Sequence, residues 1–447
     1  MSGLSGDNRA GGHNGVPVVV IGGGAIGLCI AFHLHRQGVP VHVVDRGPVG
    51  GGSSRGNAGW VCLSHSAPVP APGVTWHAAR SIGRPDSPLY LRPQPTLAFL
   101  RWLVMFQRSC SRKSFDHGYA AVARFAQNTF ERFTELTDDG VVTTLTRPGL
   151  LHAFCSGEEA RRVLETQRAM TGAGYEVPGE ILNAAELAEL DPAVGGKVTA
   201  GYLVRGEGVI DPNAFVESLA ERLRKEGVTI SEHTAVRGFR KSGGRVVAVR
   251  TTGDDIRCSS AVVSAGVWSA DLLRLLDVRL PLQAGKGYSF SVKLDPAPVH
   301  PMYLGDKHVA VSPIGGTTRI AGTMELSGNN RRLDWRRIVA IARASRDYLG
   351  QWYDSPDELM ALIHDPWVGG RPMLPDGLPV LDRVATTRNA YVATGHGMLG
   401  ITLAPVTGKA MADYITTDRR PADLEPFRSD RFAGLTLHRR RETGEPL

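Results

Sequence analysis

The sequence predicts an α/β fold: a doubly wound parallel-sheet domain interrupted by an α+β domain with a mixed, largely antiparallel sheet. Three observations predict it. Residues 16–21 form a short, valine-rich apolar run that ends in a glycine-rich turn, as a strand buried on both faces should. A helix-period stretch and a second valine-rich run follow at once, which makes one βαβ unit with a right-handed crossover. Residues 281–365 then mix short strands with one helix near residues 335–351.

The first helix is expected over residues 25–37, with Ile26, Ile30 and Leu34 on one face and Gly38 as its stop. Residues 39–44 form the second strand, which ends at Asp45. Residues 68–95 are irregular and rich in Pro and Gly. Residues 97–106 are apolar apart from Arg101, and read either as a domain-packing helix or as an interfacial helix that meets a membrane. Residues 117–138 and 158–173 read as helices with one polar side. Within residues 207–227 a helix opens at Asp211-Pro212, with Asp as N-cap and Pro at the first helical position. Strands are expected at 236–241 and 245–250, joined by a Ser-Gly-Gly turn, and at 261–266. Residues 389–415 read as strand, glycine-rich turn, helix. The chain thus divides into a disordered tail (1–15), a discontinuous first domain (16–85, 205–280 and 366–430) and a second domain (86–204 and 281–365).

Composition narrows the class. The 447 residues are 42% hydrophobic and 21% charged, ordinary for a globular protein with a substantial core. No uncharged apolar run is long enough to span a bilayer. The first residues lack a signal peptide's charged start and apolar centre, so a cytoplasmic protein is expected, with the inner membrane face as a peripheral alternative. The five cysteines are far apart and odd in number, which predicts neither a metal site nor a disulfide framework. The net charge of +7 is spread along the chain, with clusters at Arg331-Arg332, Arg336-Arg337 and Arg439-Arg440-Arg441. No stacking-aromatic pattern accompanies them, so no nucleic-acid partner is expected.

Gly22, Gly24 and Gly27 form G-x-G-x-x-G between a buried strand and a helix, with Asp45 at the end of the next strand. That context is the dinucleotide-binding one: glycines admit a pyrophosphate, the helix N-terminus favours its charge, and the carboxylate takes the ribose hydroxyls. Two segments favour FAD over NAD. Residues 50–59 run through Ser53, Ser54, Asn57, Ala58 and Gly59, small side chains that let the backbone pass close to a flat ring. His396, Gly397, Met398, Leu399 and Gly400 open the last helix, whose N-terminus can stabilise negative charge on a reduced flavin.

These motifs, with residues 262–269, Gly370-Arg371-Pro372 and Pro375-Asp376-Gly377, resemble the D-amino acid oxidase superfamily of FAD-dependent oxidoreductases. The closer likeness is to its D-amino acid dehydrogenase and glycine oxidase branches, over nearly the whole chain. The resemblance implies a Rossmann-like domain holding non-covalent FAD, with contacts also from Ala25, Ile26, Arg46, Val236, Ala265, Gly266 and Trp268. It implies that Arg371 binds a substrate carboxylate, which suits a guanidinium's bidentate fork. Tyr288, in a Lys-Gly-Tyr-Ser run, either closes over the substrate or is a strand tyrosine; His396 either contacts the flavin or braces its turn. The implied reaction is oxidative deamination of a small amino acid, a D-amino acid by the closer likeness, by hydride transfer from the α-carbon to flavin N5, giving an imino acid and then a 2-oxo acid and ammonia. Quinone, a dye-type acceptor or oxygen would take the electrons. Alternatives are oxidation of a secondary amine such as proline or sarcosine, and a non-catalytic flavoprotein subunit. The chain departs from the family's patterns at residues 206–212, at Met398 and in having no cysteine near residues 370–376.

Overall fold

A computed structural model describes residues 15–75, 89–92, 94, 96–168 and 176–435. Most of the expected tail, residues 169–173 of one expected helix and the Arg439–Arg441 cluster lie outside the described residues.

Val18–Ile21 is the heart of a six-stranded sheet. It pairs in parallel with Val41–Val44 on one side and Ser260–Val263 on the other. Thr229–Ser231 extends the sheet beyond the former, and Ala390–Thr394 beyond the latter, both parallel. Val380–Arg383 closes that edge antiparallel. Period-two alternation explains why the central strand is wholly apolar. Val18 and Val20 pack into a core built with the helices Ala25–Arg36, Pro212–Lys225 and Gly400–Thr417. Val19 and Ile21 face the opposite core, shared with Val246 and Val249 of a three-stranded antiparallel sheet. That sheet consists of Val236–Ser242, Arg245–Thr251 and Ile256–Arg257.

The second sheet has nine strands and is mixed but largely antiparallel. Its main path runs His364–Met373, Gln283–Val292, Thr317–Leu326, Val309–Ile314, Met302–Leu304, Leu150–Phe154, Ala200–Val204 and Leu182–Asn183. Met302–Leu304 pairs in parallel with Leu150–Phe154, and Leu89–Leu91 in parallel with Thr317–Leu326. The helix Trp335–Leu349 covers one face, its Ile338 and Ile341 packing with Tyr288, Phe290 and Ile320. The other face looks toward the glycine turn.

Several elements differ from the sequence expectation. Residues 117–138 fall within two helices, Arg112–Ala126 and Thr129–Asp138. The second is pinned by a buried hydrogen bond from Thr129 Oγ1 to the Thr402 carbonyl. The stretch read as irregular contains the strand Leu89–Leu91, which forms only because Thr317–Leu326 offers it an edge. A second short helix, Pro356–Leu362, is capped by Ser355. The strand His364–Met373 crosses the expected domain boundary at residue 366 and belongs to the nine-stranded sheet. By contrast, Asp211 caps Pro212–Lys225 as its sequence implies, accepting from the amides of Asn213 and Ala214.

Asn389 ties the small antiparallel sheet to the central one. Its Oδ1 accepts from Val246 N at 2.8 Å, and its Nδ2 donates to the carbonyls of Val246 and Ser259 at 2.8 and 2.7 Å. The residue is buried. Asn389→Leu strands these backbone groups without partners, and is expected to destabilise the fold by on the order of 2–4 kcal/mol in urea unfolding. An unchanged unfolding midpoint would show that the two sheets do not depend on this link.

Candidate functional site

The front turn is built by steric necessity. Gly22 has φ +119, and a Cβ there would sit 2.5 Å from the Ser264 carbonyl oxygen. A Cβ on Gly27 would sit 1.9 Å from the Gly22 carbonyl oxygen, so this glycine serves strand–helix packing and does not line the cavity. Asp45 closes the turn from the next strand. Its Oδ2 accepts from Gly23 N at 2.7 Å and its Oδ1 from Gly47 N at 2.9 Å. Ser54 Oγ accepts from Ala25 N at 3.2 Å, at the start of the first helix.

A cavity of about 680 Å³ opens in front of this turn and runs across to the nine-stranded sheet. Gly22, Gly24, Ala25, Ile26, Asp45 and Arg46 line it, followed by Ser53, Ser54, Asn57 and Ala58. Val236, Ala265, Gly266 and Trp268 add a wall, and the segment 396–400 adds another. The Arg46 guanidinium carbon lies 3.9 Å from the Trp268 ring centre, a cation–π contact. Gly59 stays outside, where its φ of +77 turns the chain behind Asn57, whose Oδ1 accepts from Gly59 N. The helix Gly400–Thr417 begins without a side-chain cap, so two helix N-termini open onto one cavity from opposite ends of the chain. His396 lines the cavity while its Nε2 meets Thr407 Oγ1 at 3.1 Å. Burial pulls that imidazole down to about 3, so it is neutral. Met398 is exposed at the cavity's rim.

Arg371 enters from the edge strand of the nine-stranded sheet. Its Nη1 donates to the Thr323 carbonyl at 2.8 Å. Thr323 has φ +65 and sits where the register slips between Lys286 and Tyr288, a β-bulge that turns the carbonyl toward the arginine. Gly287 makes room, since a Cβ there would lie 2.3 Å from Arg371 Nη2. Among the described residues no carboxylate pairs with this guanidinium. Burial without a counter-charge pulls it down to about 10.

The front loop and the arginine strand are bolted together. Ser53 Oγ donates to the Gly370 carbonyl at 2.5 Å, and Gly397 N to the Pro372 carbonyl at 3.1 Å. The buried Arg319 donates to the carbonyls of Arg55 and Asn57 at 3.2 and 3.1 Å. Neither Arg319 nor Thr323 carries a motif that would single it out.

Tyr288 is not in this constellation. It is buried on the opposite face of its strand, where its hydroxyl donates to Glu325 Oε2 at 2.9 Å. Period-two alternation dictates the separation: Gly287 and Ser289 face the cavity side, while Lys286 and Tyr288 face the helix Trp335–Leu349. The buried Glu325 also takes the ammonium of Lys286, at 3.3 Å. The tyrosine that resembles a substrate lid is thus part of a core polar network.

Residues 17–414 match the family model described as DAO, FAD dependent oxidoreductase. A protein of Rhizorhabdus wittichii named D-amino acid dehydrogenase is 31% identical over 93% of this chain and 100% of its own length. Another so named, from Granulibacter bethesdensis, is 28% identical over the same shares. Among solved structures, glycine oxidase from Bacillus cereus superposes with a TM-score of 0.68 at 21% identity, covering 92% of this chain and 97% of that one. L-proline dehydrogenase from P. horikoshii gives 0.69 at 18% identity, covering 94% and 98%. At these identities the structural likeness shows the shared fold alone.

The glycine cradle and the two open helix ends fit FAD. Gly22→Val forces a side chain into the Ser264 backbone. The variant is expected to purify with the visible flavin band reduced about tenfold or more while far-UV circular dichroism is kept. Full flavin occupancy would show that this turn does not cradle the cofactor.

Proposed function

The chain belongs to the DAO family of FAD-dependent oxidoreductases, and from that premise we propose that it oxidises the Cα–N bond of an amino acid, in the manner of a D-amino acid dehydrogenase. The observation that carries the reading is Arg371, a half-buried guanidinium with no carboxylate partner among the described residues, facing the cavity. A substrate carboxylate supplies the missing counter-charge. The relatives named D-amino acid dehydrogenase support the substrate class.

Bound FAD supplies the hydride acceptor. The chain's own residues supply placement. The Thr323 carbonyl occupies Nη1 and leaves the Nη2 side of the guanidinium for the substrate. Gly287 sets how deeply the arginine sits, and the Ser53–Gly370 bond fixes its height over the front loop. Orientation of this kind can contribute on the order of 7–11 kcal/mol at best. The carboxylates lining the cavity, Asp45 and Asp271, lie at its Arg46–Trp268 end, so no general base is assigned. A non-catalytic subunit would have no use for an arginine without a carboxylate partner at a cavity wall.

Anaerobic bleaching of the flavin band should follow addition of D-amino acids and be much slower with L-enantiomers, proline derivatives and sarcosine. Arg371→Met removes a charge-assisted pair and is expected to lower kcat/KM by roughly 100-fold or more. Bleaching by secondary amines alone would transfer the reading to that class; an Arg371→Met enzyme with unchanged kcat/KM would refute the carboxylate clamp.

The helix Leu97–Ser109 suggests where the acceptor is met. Phe99, Trp102 and Met105 are buried, yet Leu97, Leu100 and Val104 are 63%, 54% and 53% exposed on one side. Arg101, Arg108, Arg112 and Lys113 are exposed close by. No helix among the described residues is long and apolar enough to cross a membrane. We read this face as a peripheral contact with an anionic membrane, from which quinone takes the electrons. The protein should co-sediment with phosphatidylglycerol vesicles, and Leu100→Asp should weaken this about fivefold or more. Equal sedimentation of both proteins would exclude this face.

A further inference from the structure

The cavity's far wall carries a cluster of rings that the carboxylate clamp does not use. One row crosses the nine-stranded sheet in register: Trp367, Ser289, Ala321, Ala310, Tyr303 and His152. The two alanines line the cavity and leave space in mid-row, while rings gather at the end beyond them. Trp60 and His65 arrive there from the front segment. The His65 ring centre lies 5.3 Å from Trp60 and 5.1 Å from Tyr303. Behind it, His65 stacks on His152 at 5.3 Å. The Tyr303 hydroxyl is hydrogen-bonded to His308 Nδ1, and Trp60, His65, Tyr303 and His308 all line the cavity.

This cluster faces Arg371 across the two alanines. Thr323, which holds the arginine, lies two residues along the strand from Ala321. Tyr303 lies two strands away from it, about 10 Å at the usual strand spacing. That span suits an amino acid whose carboxylate is at the arginine and whose ring reaches the cluster. Among the described residues no carboxylate lines this end of the cavity. Burial pulls His65 down to about 4, so its ring is neutral. His65 Nε2 is buried and has no hydrogen-bond partner among the described residues, nor has either ring nitrogen of His152. Buried polar atoms left unpaired are rare and costly.

We infer that Trp60, His65, Tyr303 and His308 form the side-chain subsite, and that the preferred substrates are amino acids bearing a planar, uncharged ring. The inference rests on the reading that Arg371 takes the carboxylate, and it replaces the small side chain expected from sequence resemblance. Stacking on two or three rings favours a flat partner over a methyl group or a charged chain.

Two measurements test it. In anaerobic flavin reduction with both enantiomers, phenylalanine, tyrosine and tryptophan should exceed alanine in kcat/KM by about tenfold or more, with lysine and glutamate below alanine. Ala310→Leu should reverse that preference by filling the space between clamp and rings, and Tyr303→Leu or His65→Leu should shrink it. Separately, 3-phenylpropionate and propionate are titrated against the oxidised flavin's visible band. The former should bind about tenfold more tightly, and Ala310→Leu should abolish the difference. Equal binding of the two acids, or alanine used as well as the aromatic amino acids, overturns the subsite while leaving the clamp intact. Failure of every amino acid to bleach the flavin, with the preference for 3-phenylpropionate retained, overturns the proposed reaction and leaves the subsite standing.

Discussion

A guanidinium partly withdrawn from water without a counter-ion is a costly arrangement, and Arg371 is held in one at the cavity wall. The bulge at Thr323 turns a carbonyl toward it, and Gly287 gives up a side chain so that it fits. Ser53 ties its strand to the front loop, Gly397 ties it to the turn before the last helix, and Arg319 ties the front loop to the strand Thr317–Leu326. Each of these features would be a liability in a protein that merely had to fold. Together they keep one positive charge fixed in the cavity, and the shape of the remaining space is measured from it.

The large sheet divides its labour by the alternation of its strands. One face packs on the helix Trp335–Leu349 and hides a polar network of Lys286, Tyr288 and Glu325. The other face supplies the cavity wall, with Arg371 on the edge strand and Tyr303 four strands away. Residues adjacent in sequence therefore serve unrelated purposes. Lys286 and Gly287 differ by one position, yet one stabilises the core and the other shapes the site. This is why a tyrosine in a family-like run proved to be a core residue.

The front of the chain was largely legible. G-x-G-x-x-G is a local motif whose requirements are met within one βαβ unit, so Gly22, Gly24, Asp45 and the first helix stand where pattern reading puts them. Asp211 at its helix cap is legible for the same reason. Leu89–Leu91 was not legible, because an edge strand depends on a partner more than 200 residues later in the chain. The exposed side of the helix Leu97–Ser109 was ambiguous because both its faces are apolar, and only packing shows which one is covered.

What the sequence determined by itself is the set of short-range constraints. It specified which turns must be glycine, which strands are buried on both faces, which residue ends the second strand, and which arginine stands in the Gly-Arg-Pro run. The tertiary structure decided everything that depends on strand register and on which face a side chain takes. It alone set Thr323 against Arg371, brought Trp60 and His65 onto Tyr303, and turned Tyr288 away. The physical reason is that a local motif carries its own geometry, whereas a cavity wall is assembled from segments whose adjacency is created only by pairing and packing.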